Sequence, residues 1–148
     1  MNDDATPALL RAKPTWLISQ VSTRAHRLLT ERLAAVGARG YHYRLLAALA
    51  EFGPSSQASL GRHTGMDRSD VVAAVGELAA QRFVERAADP ADRRRNVVTL
   101  TSAGAARLAE LDRVLAAVQD ELLTPLSGQE RADLTRLLTL VLGDGPGA

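Results

Sequence analysis

Cysteine is absent from the 148 residues of the chain. This absence excludes internal disulfide bonds and thiol redox sensors. Aromatic residues are also scarce, at 3%, although 46% of the residues are hydrophobic. The core must therefore consist mainly of Leu, Ala and Val. At this length, such a composition is typical of one helical domain or of two small, closely joined parts.

Long apolar runs are missing as well. No segment approaches the roughly 20 apolar residues that a membrane-spanning helix needs. The acidic start, residues 1–4, lacks the basic and apolar regions of a signal peptide. From the sequence we therefore expect a soluble, cytoplasmic protein with no membrane contact.

The formal net charge is only +1, but the charges are unevenly distributed. Residues 10–62 carry eight basic and two acidic side chains, whereas residues 105–148 carry four basic and seven acidic ones. This asymmetry suggests one surface that contacts phosphates and another with a different role. Genome composition alone could explain why all basic residues except Lys13 are arginines, but it does not explain the run of three at 93–95.

Apolar residues recur at three- and four-residue steps in several segments, which is the spacing that places side chains on one face of a helix. The first such segment covers residues 15–36. Further helices are predicted over residues 41–52 and 57–64, each followed by a glycine. Residues 1–13 include several polar residues, with prolines at 7 and 14, so we expect them to form a loose arm.

A fourth helix is predicted after Asp67, which is a residue type that caps helices. Its buried stripe, spaced i, i+3, i+4 and i+7, is expected at Val71, Ala74, Val75 and Leu78. The opposite side then presents only small side chains, at Ser69, Val72, Ala73 and Gly76. A helix with such a face can lie deep in a groove of DNA, although a helix buried on all sides would have the same composition.

Two short β-prone runs within residues 84–100 flank a loop that ends in Arg93, Arg94 and Arg95. The preceding helices, joined by a turn at Gly65-Met66, form a helix-turn-helix pattern. With the hairpin, the pattern becomes a winged helix-turn-helix. Three guanidiniums at the tip of such a hairpin are typical of contact with DNA.

The remaining sequence predicts two more helices. Thr101 or Ser102 caps a long one that Pro125 ends, and the capping-box pair Ser127 and Glu130 opens a last one that reaches Gly143. The small middle module cannot cover the apolar stripes of these helices and of the first one. We therefore expect a homodimer in which the terminal helices of two chains interleave.

The wing sequence Asp89-Pro90-Ala91-Asp92-Arg93-Arg94, followed by Leu100-Thr101-Ser102-Ala103-Gly104, resembles the pattern of the multiple-antibiotic-resistance regulator (MarR) family, and the resemblance covers nearly the whole chain. It implies a mainly helical fold with a small β-hairpin wing. Residues 40–104 would form the DNA-binding module of a single regulator, and residues 14–39 and 105–143 its dimerisation helices. It further implies a regulator, commonly a repressor, that binds a pseudo-palindromic operator.

The fourth predicted helix corresponds to the recognition helix of the family. There the resemblance implies that four residues face DNA: Arg68, Ser69, Val72 and Ala73. Many relatives carry Ser or Thr and then Arg at the last two positions, so this chain departs from the family there. Arg68 and Ser69 could still bond to phosphates or base edges. Val72 and Ala73 could contact thymine methyl groups instead.

In the wing, Arg93, Arg94 and Arg95 are the expected DNA contacts, and Arg94 is the first choice for the minor groove. Alternate residues of an extended segment share a face, so the Asp92 side chain is expected to brace that of Arg94. A pair that only stabilises the hairpin, worth about 0–1 kcal/mol if exposed, is the simpler alternative.

Relatives of this family often release DNA when they bind a small phenolic or other aromatic ligand near the junction of the dimer and DNA-binding parts. Here Trp16, His42 and Tyr43 are the main candidates for such a site, with His26, Tyr41 and Met66 nearby in the predicted fold. The same side chains could equally be ordinary core or interface residues.

Other functions have little support in the sequence. The histidines show no paired spacing for a metal, and no nucleophile with a base stands out, so we expect neither cofactor nor catalysis. Two classes remain. One is a homodimeric DNA-binding regulator, and the other is a winged-helix interaction module or antagonist without sequence-specific DNA binding. The three wing arginines favour the first.

Overall fold

The computed structural model describes residues 5–143. They form seven helices and three short strands, in the order α1 (Ala8–Arg11), α2 (Pro14–Ala34), α3 (Gly40–Phe52), β1 (Ser55–Ser56), α4 (Gln57–Thr64), α5 (Arg68–Ala80), β2 (Val84–Ala88), β3 (Asn96–Leu100), α6 (Ser102–Leu122) and α7 (Gly128–Leu142). The predicted fold class, mainly helical with a small β-hairpin wing, is confirmed.

The core lies where α3, α4 and α5 meet the sheet and the first half of α6. Its members are almost all aliphatic, as the scarcity of aromatic residues requires. The predicted stripe of α5 is confirmed, since Val71, Ala74, Val75 and Leu78 are each no more than 1% exposed. Burial of this stripe fixes which side of α5 faces solvent.

The turn between α4 and α5 depends on glycine. Gly65 ends α4 in the left-handed conformation, with φ of +67°, where a residue without Cβ has no steric penalty. At Gly61 a Cβ would lie 3.4 Å from the Met66 carbonyl oxygen and 3.8 Å from a Val71 methyl group. The two helices of the helix-turn-helix therefore pack at close range.

The hairpin is present as predicted, with β2 and β3 antiparallel from Val84 opposite Leu100 to Ala88 opposite Asn96. Strand β1, which the sequence pattern did not predict, pairs with the other edge of β3. Ser55 is buried, and its hydroxyl group donates to the Gly53 carbonyl oxygen at 2.8 Å. The wing is thus joined to the chain segment that leads into α4.

The long helices α2, α6 and α7 begin and end close to the predicted positions, but they bury little. Helix α2 has two buried residues and α7 has none. Large apolar side chains are exposed on α1, α2 and α7: Leu9, Leu10, Leu17, Ile18, Val21, Leu137, Leu138, Leu140, Val141 and Leu142.

Two details of the predicted helix starts are wrong. Residues 5–13 are not all irregular, because α1 forms a single helical turn; residues 1–4 lie outside the described part of the chain. Asp67 occupies the N-cap position of α5, but its side chain accepts no capping hydrogen bond. By contrast, Thr101 caps α6 by accepting from the Gly104 N–H group, and the Ser127 and Glu130 capping box is confirmed.

Within residues 5–143, no helix is both long and apolar enough to cross a membrane. Over the same residues, no group of three or more His, Cys, Asp or Glu side chains is placed to hold a metal ion.

Gly104, in the first turn of α6, lies against the residue that precedes β2. A Cβ there would be 2.0 Å from the carbonyl oxygen of Phe83 and 2.7 Å from a methyl group of Leu100. Because the same Phe83 oxygen accepts from the Thr101 N–H group at 3.1 Å, it cannot move away without loss of that bond. This close approach fixes the start of α6 against the wing.

We predict that Gly104→Ala lowers the free energy of unfolding by about 3 kcal/mol, in the upper range for overpacked sites, because backbone must move to admit the methyl group. Gly128→Ala is the matched control, since a Cβ at Gly128 meets nothing within 4 Å. It should keep or slightly raise stability. Urea denaturation at one protein concentration measures both, and equal midpoints would contradict the prediction.

Candidate nucleic-acid interface

The exposed side of α5 has the small-residue face expected from the sequence. Ser69, Val72 and Ala73 are exposed, and Val72 keeps 45% of its surface accessible. With Asp67 and Arg68 they line a shallow depression of about 660 Å³. The four recognition-helix residues singled out from the sequence thus share one open surface at the N-terminal half of α5.

The wing loop is a compact turn, not an extended segment. The Asp89 N–H group donates to the Arg95 carbonyl oxygen at 2.8 Å, and the Arg95 N–H group donates to the Asp92 carbonyl oxygen at 3.0 Å. The Asp89 side chain also accepts from the Ala91 N–H group at 2.9 Å. These bonds close the loop and leave the side chains of all three arginines exposed.

The expected side-chain brace between Asp92 and Arg94 is not observed. The Asp92 carboxylate accepts from the backbone N–H group of Arg94 at 3.1 Å, and its other oxygen lies 3.9 Å from Nε of Arg95. The expectation was wrong because face alternation applies to extended strands, whereas residues 92–95 turn. Asp92 therefore shapes the loop backbone that carries Arg94.

The helix-turn-helix and the wing together match a known family of proteins. Residues 36–95 match the sequence model of the MarR family. Over 93 residues the chain is 36% identical to the HTH-type transcriptional repressor NicR of Pseudomonas putida, and the matched part is 63% of this chain and 59% of that relative. The chain belongs to the MarR family.

Solved structures extend the MarR-family likeness to nearly the whole chain. A Pseudomonas aeruginosa protein described as a probable transcriptional regulator is 32% identical, with a TM-score of 0.78 over 89% of this chain and 98% of its own. A mutant form of MarR from E. coli, solved in complex with operator DNA, is 25% identical, with a TM-score of 0.74 over 93% of this chain and 99% of its own. The chain therefore has the winged-helix fold of these proteins over nearly its whole length.

At the edge of the small-residue face of α5, Glu77 connects this helix to the start of α3. Its carboxylate accepts from Nη2 of Arg39 at 2.9 Å and contacts Nε2 of His42 at 2.5 Å. Nδ1 of the same imidazole accepts from the Arg39 N–H group at 3.2 Å. The hydrogen bond from His42, with the charge of Arg39, lowers the pKa of Glu77, so the carboxylate is ionised at neutral pH.

The proposed ligand residues are not gathered into one site in a single chain. His42 is only 5% exposed and uses both ring nitrogens. Tyr43 is half-buried and donates to Asp112 on α6 at 2.8 Å, a bond that raises the pKa of the phenol. Trp16 lies at the other end of α2, about 25 Å along the helix from the core residue Leu33. Of the secondary candidates, Met66 is buried in the core and His26 is exposed.

The sequence did not predict the bonds of Glu77 with Arg39 and His42, or the bond of Tyr43 with Asp112. Each pair joins residues at least 35 positions apart in the chain, and periodicity carries no information on which polar side chains meet at such separations. The one available signal was Glu77 itself. It is a lone acid among small and apolar residues in the second half of α5.

Proposed function

We propose that this protein is an operator-binding regulator that inserts α5 into the major groove and its wing arginines into the adjacent minor groove. The observation that carries the proposal is the pairing of an open, small-sided α5 face with a hairpin tip bearing Arg93, Arg94 and Arg95. Arg68, Ser69, Val72 and Ala73 are the proposed α5 contacts, and Asp92 supports the wing. A mutant of E. coli MarR, which has the same fold, was solved in complex with operator DNA, and this supports DNA binding by the present chain.

We further propose that the protein represses transcription, since the relative NicR is a repressor. The alternative of a winged-helix module without DNA binding would leave three adjacent exposed arginines on a loop closed by its own hydrogen bonds. Three adjacent guanidiniums match the regular phosphates of a DNA backbone, and this favours DNA binding over the alternative.

The exposed apolar side chains of α1, α2 and α7 support a homodimer. Residues 14–39 and 105–143 would form its helical part, and residues 40–104 the DNA-binding module; this boundary falls within the first turn of α6. Leu140, Val141 and Leu142 are 62–76% exposed in one chain, which is unusual for a cluster of large aliphatic side chains. A two-fold dimer would present two α5 helices to a pseudo-palindromic operator.

We predict that sedimentation equilibrium at micromolar concentration gives twice the chain mass of 15.8 kDa, because a second copy would cover these apolar faces. Leu140→Glu should shift the equilibrium towards single chains. Thr135→Glu, a change at another exposed position of α7 that removes no large apolar side chain, should shift it less. A single-chain mass for the unmodified protein would exclude the dimer.

We predict that Arg94→Ala weakens operator binding and flattens its dependence on salt. Removal of one phosphate contact lowers the slope of log affinity against log salt concentration by about 0.9. Arg136→Ala is the control, since this exposed arginine lies on α7 and not in the wing. Titrations of labelled operator at several salt concentrations give both quantities. If affinity and slope match those of the unmodified protein, the wing is not part of the interface.

We predict that Val72 reads thymine methyl groups. Replacement of a contacted thymine by deoxyuridine removes one methyl group and leaves base pairing unchanged. Burial of one carbon contributes about 0.8 kcal/mol, so operator affinity should fall about fourfold. With Val72→Ala, the same replacement should have a smaller effect, because the methyl group then has no partner on the protein. A scan of deoxyuridine through the operator measures this; equal reductions with both proteins would contradict the contact.

We also propose that a small aromatic ligand releases the DNA, with Tyr43 as the central contact and Trp16 and His42 as the remaining candidates. The bond between Tyr43 and Asp112 joins α3 to α6, and a phenol or carboxylate that displaces it would alter the spacing of the two α5 helices. Tyr43→Phe should then weaken the response to aromatic carboxylates, measured by operator release and by Trp16 fluorescence. An unaltered response would remove Tyr43 from the site.

A further inference from the structure

Helix α5 is held in place mainly by packing. Its buried side is formed by Val71, Ala74, Val75 and Leu78, which are short aliphatic side chains whose packing has little directional preference. Among residues 5–143, Glu77 makes the only side-chain hydrogen bonds of α5. The one directional constraint on the side chains of this helix therefore acts at a single residue.

The partners of Glu77 are themselves fixed. His42 is 5% exposed, and its Nδ1 accepts the backbone N–H group of Arg39. That nitrogen therefore carries no hydrogen, so Nε2 carries the ring hydrogen and donates it to Glu77. Arg39 adds a second bond from the same turn of chain, at the N-cap of α3. Both donors thus belong to the start of α3, where the chain enters the DNA-binding module.

Glu77 is one residue beyond Gly76 and four beyond Ala73, so it lies about 40° around the helix from Ala73, at the edge of the small-sided face. At that position a bond to α3 resists rotation of α5 about its own axis. A rotation of about 20° would move a side-chain atom 5–6 Å from the axis by about 2 Å. Such a displacement breaks a contact with a base edge, while flexible arginine side chains can still follow phosphates.

We infer that Glu77 is a positioning residue for operator recognition. Held by Arg39 and His42, it sets the rotation of α5 and so the direction in which Val72 and Ala73 meet the bases. Glu77 acts through those residues and makes no contact with DNA itself. This inference rests on the proposed function. It adds that the ratio of operator to non-operator affinity depends on the hydrogen bonds of Glu77 with Arg39 and His42.

The charge of Glu77 makes it possible to distinguish a positioning effect from an electrostatic one. Loss of a carboxylate near the interface reduces repulsion of phosphates, so electrostatics alone predicts that Glu77→Gln binds every duplex as tightly or more tightly. Loss of positioning predicts weaker binding to the operator only. The two effects have opposite signs on the operator and can be separated with a scrambled duplex of the same length.

The experiment uses the whole 148-residue chain and an operator selected from random duplexes with the unmodified protein. For Glu77→Gln we expect the ratio of operator to scrambled affinity to fall about fivefold or more, which corresponds to at least one base contact, with scrambled binding unchanged or tighter. Glu121→Gln is the matched control. It removes a similarly exposed carboxylate from an ion pair with Arg32 at 2.7 Å in the long helices, and should leave the ratio unchanged.

A second variant removes the hydrogen bond between Glu77 and α3 by changing its buried partner, His42. His42→Phe keeps an aromatic ring but removes both nitrogens, and the ring is too buried to contact DNA. It should lower the ratio in the same way, and the double variant with Glu77→Gln should be no worse than the worse single one, because both act through one link. A general loss of folding would instead weaken binding to both duplexes together.

An unchanged ratio in Glu77→Gln, or fully additive effects in the double variant, would overturn the positioning role. A Glu77→Gln variant that loses both affinities together would overturn it as well, since the residue would then be needed for folding alone. Failure of the proposed function looks different, because the unmodified protein would then select no preferred duplex at all.

Discussion

Helix α5 must bury one side completely and leave the other open, and the rest of the structure depends on this division. The buried side has four aliphatic residues no more than 1% exposed. They fix the helix against α3 and α4, and so determine that the small residues at 69, 72, 73 and 76 point outwards. The open face is a consequence of the core, which is why a core pattern in the sequence could predict which side of α5 is exposed.

Arg107 on α6 contacts both the segment that follows α2 and the segment that leads into the wing. Its Nη2 donates to the Val36 carbonyl oxygen at 2.6 Å, and its guanidinium lies 5.4 Å from the ring centre of Phe83, just before β2. This one side chain, 12% exposed, therefore contacts the turn after α2 and the residue before β2. Together with the close approach of Gly104 to Phe83, this contact holds the start of the wing against α6.

Periodicity and capping residues predicted the helices, and the wing motif predicted the hairpin, because these depend on neighbours along the chain. The sequence could not predict β1, since Ser55 and Ser56 have no apolar alternation and pair only because the fold brings β3 beside them. Asp92 was given the wrong partner because its loop turns where an extended segment was assumed. The partners of Glu77 were missed because tertiary packing alone brings α3 and α5 together. Roles in DNA and ligand binding stay predictions for every site residue.

In the proposed operator complex, different parts of the protein would supply affinity and specificity. The wing arginines are long, flexible and always charged, so they suit phosphates and a narrow minor groove, and their contribution depends on salt. The α5 face has few hydrogen-bonding groups, so in the proposed complex it would discriminate through shape and methyl contacts, which are short-ranged and insensitive to salt. Contacts of that kind require a helix held in one orientation more strictly than arginine contacts do. Because the small-residue face of α5 lacks long polar side chains, DNA recognition by it would depend strongly on the groups that fix the orientation of α5. In this chain those groups are the aliphatic stripe and Glu77.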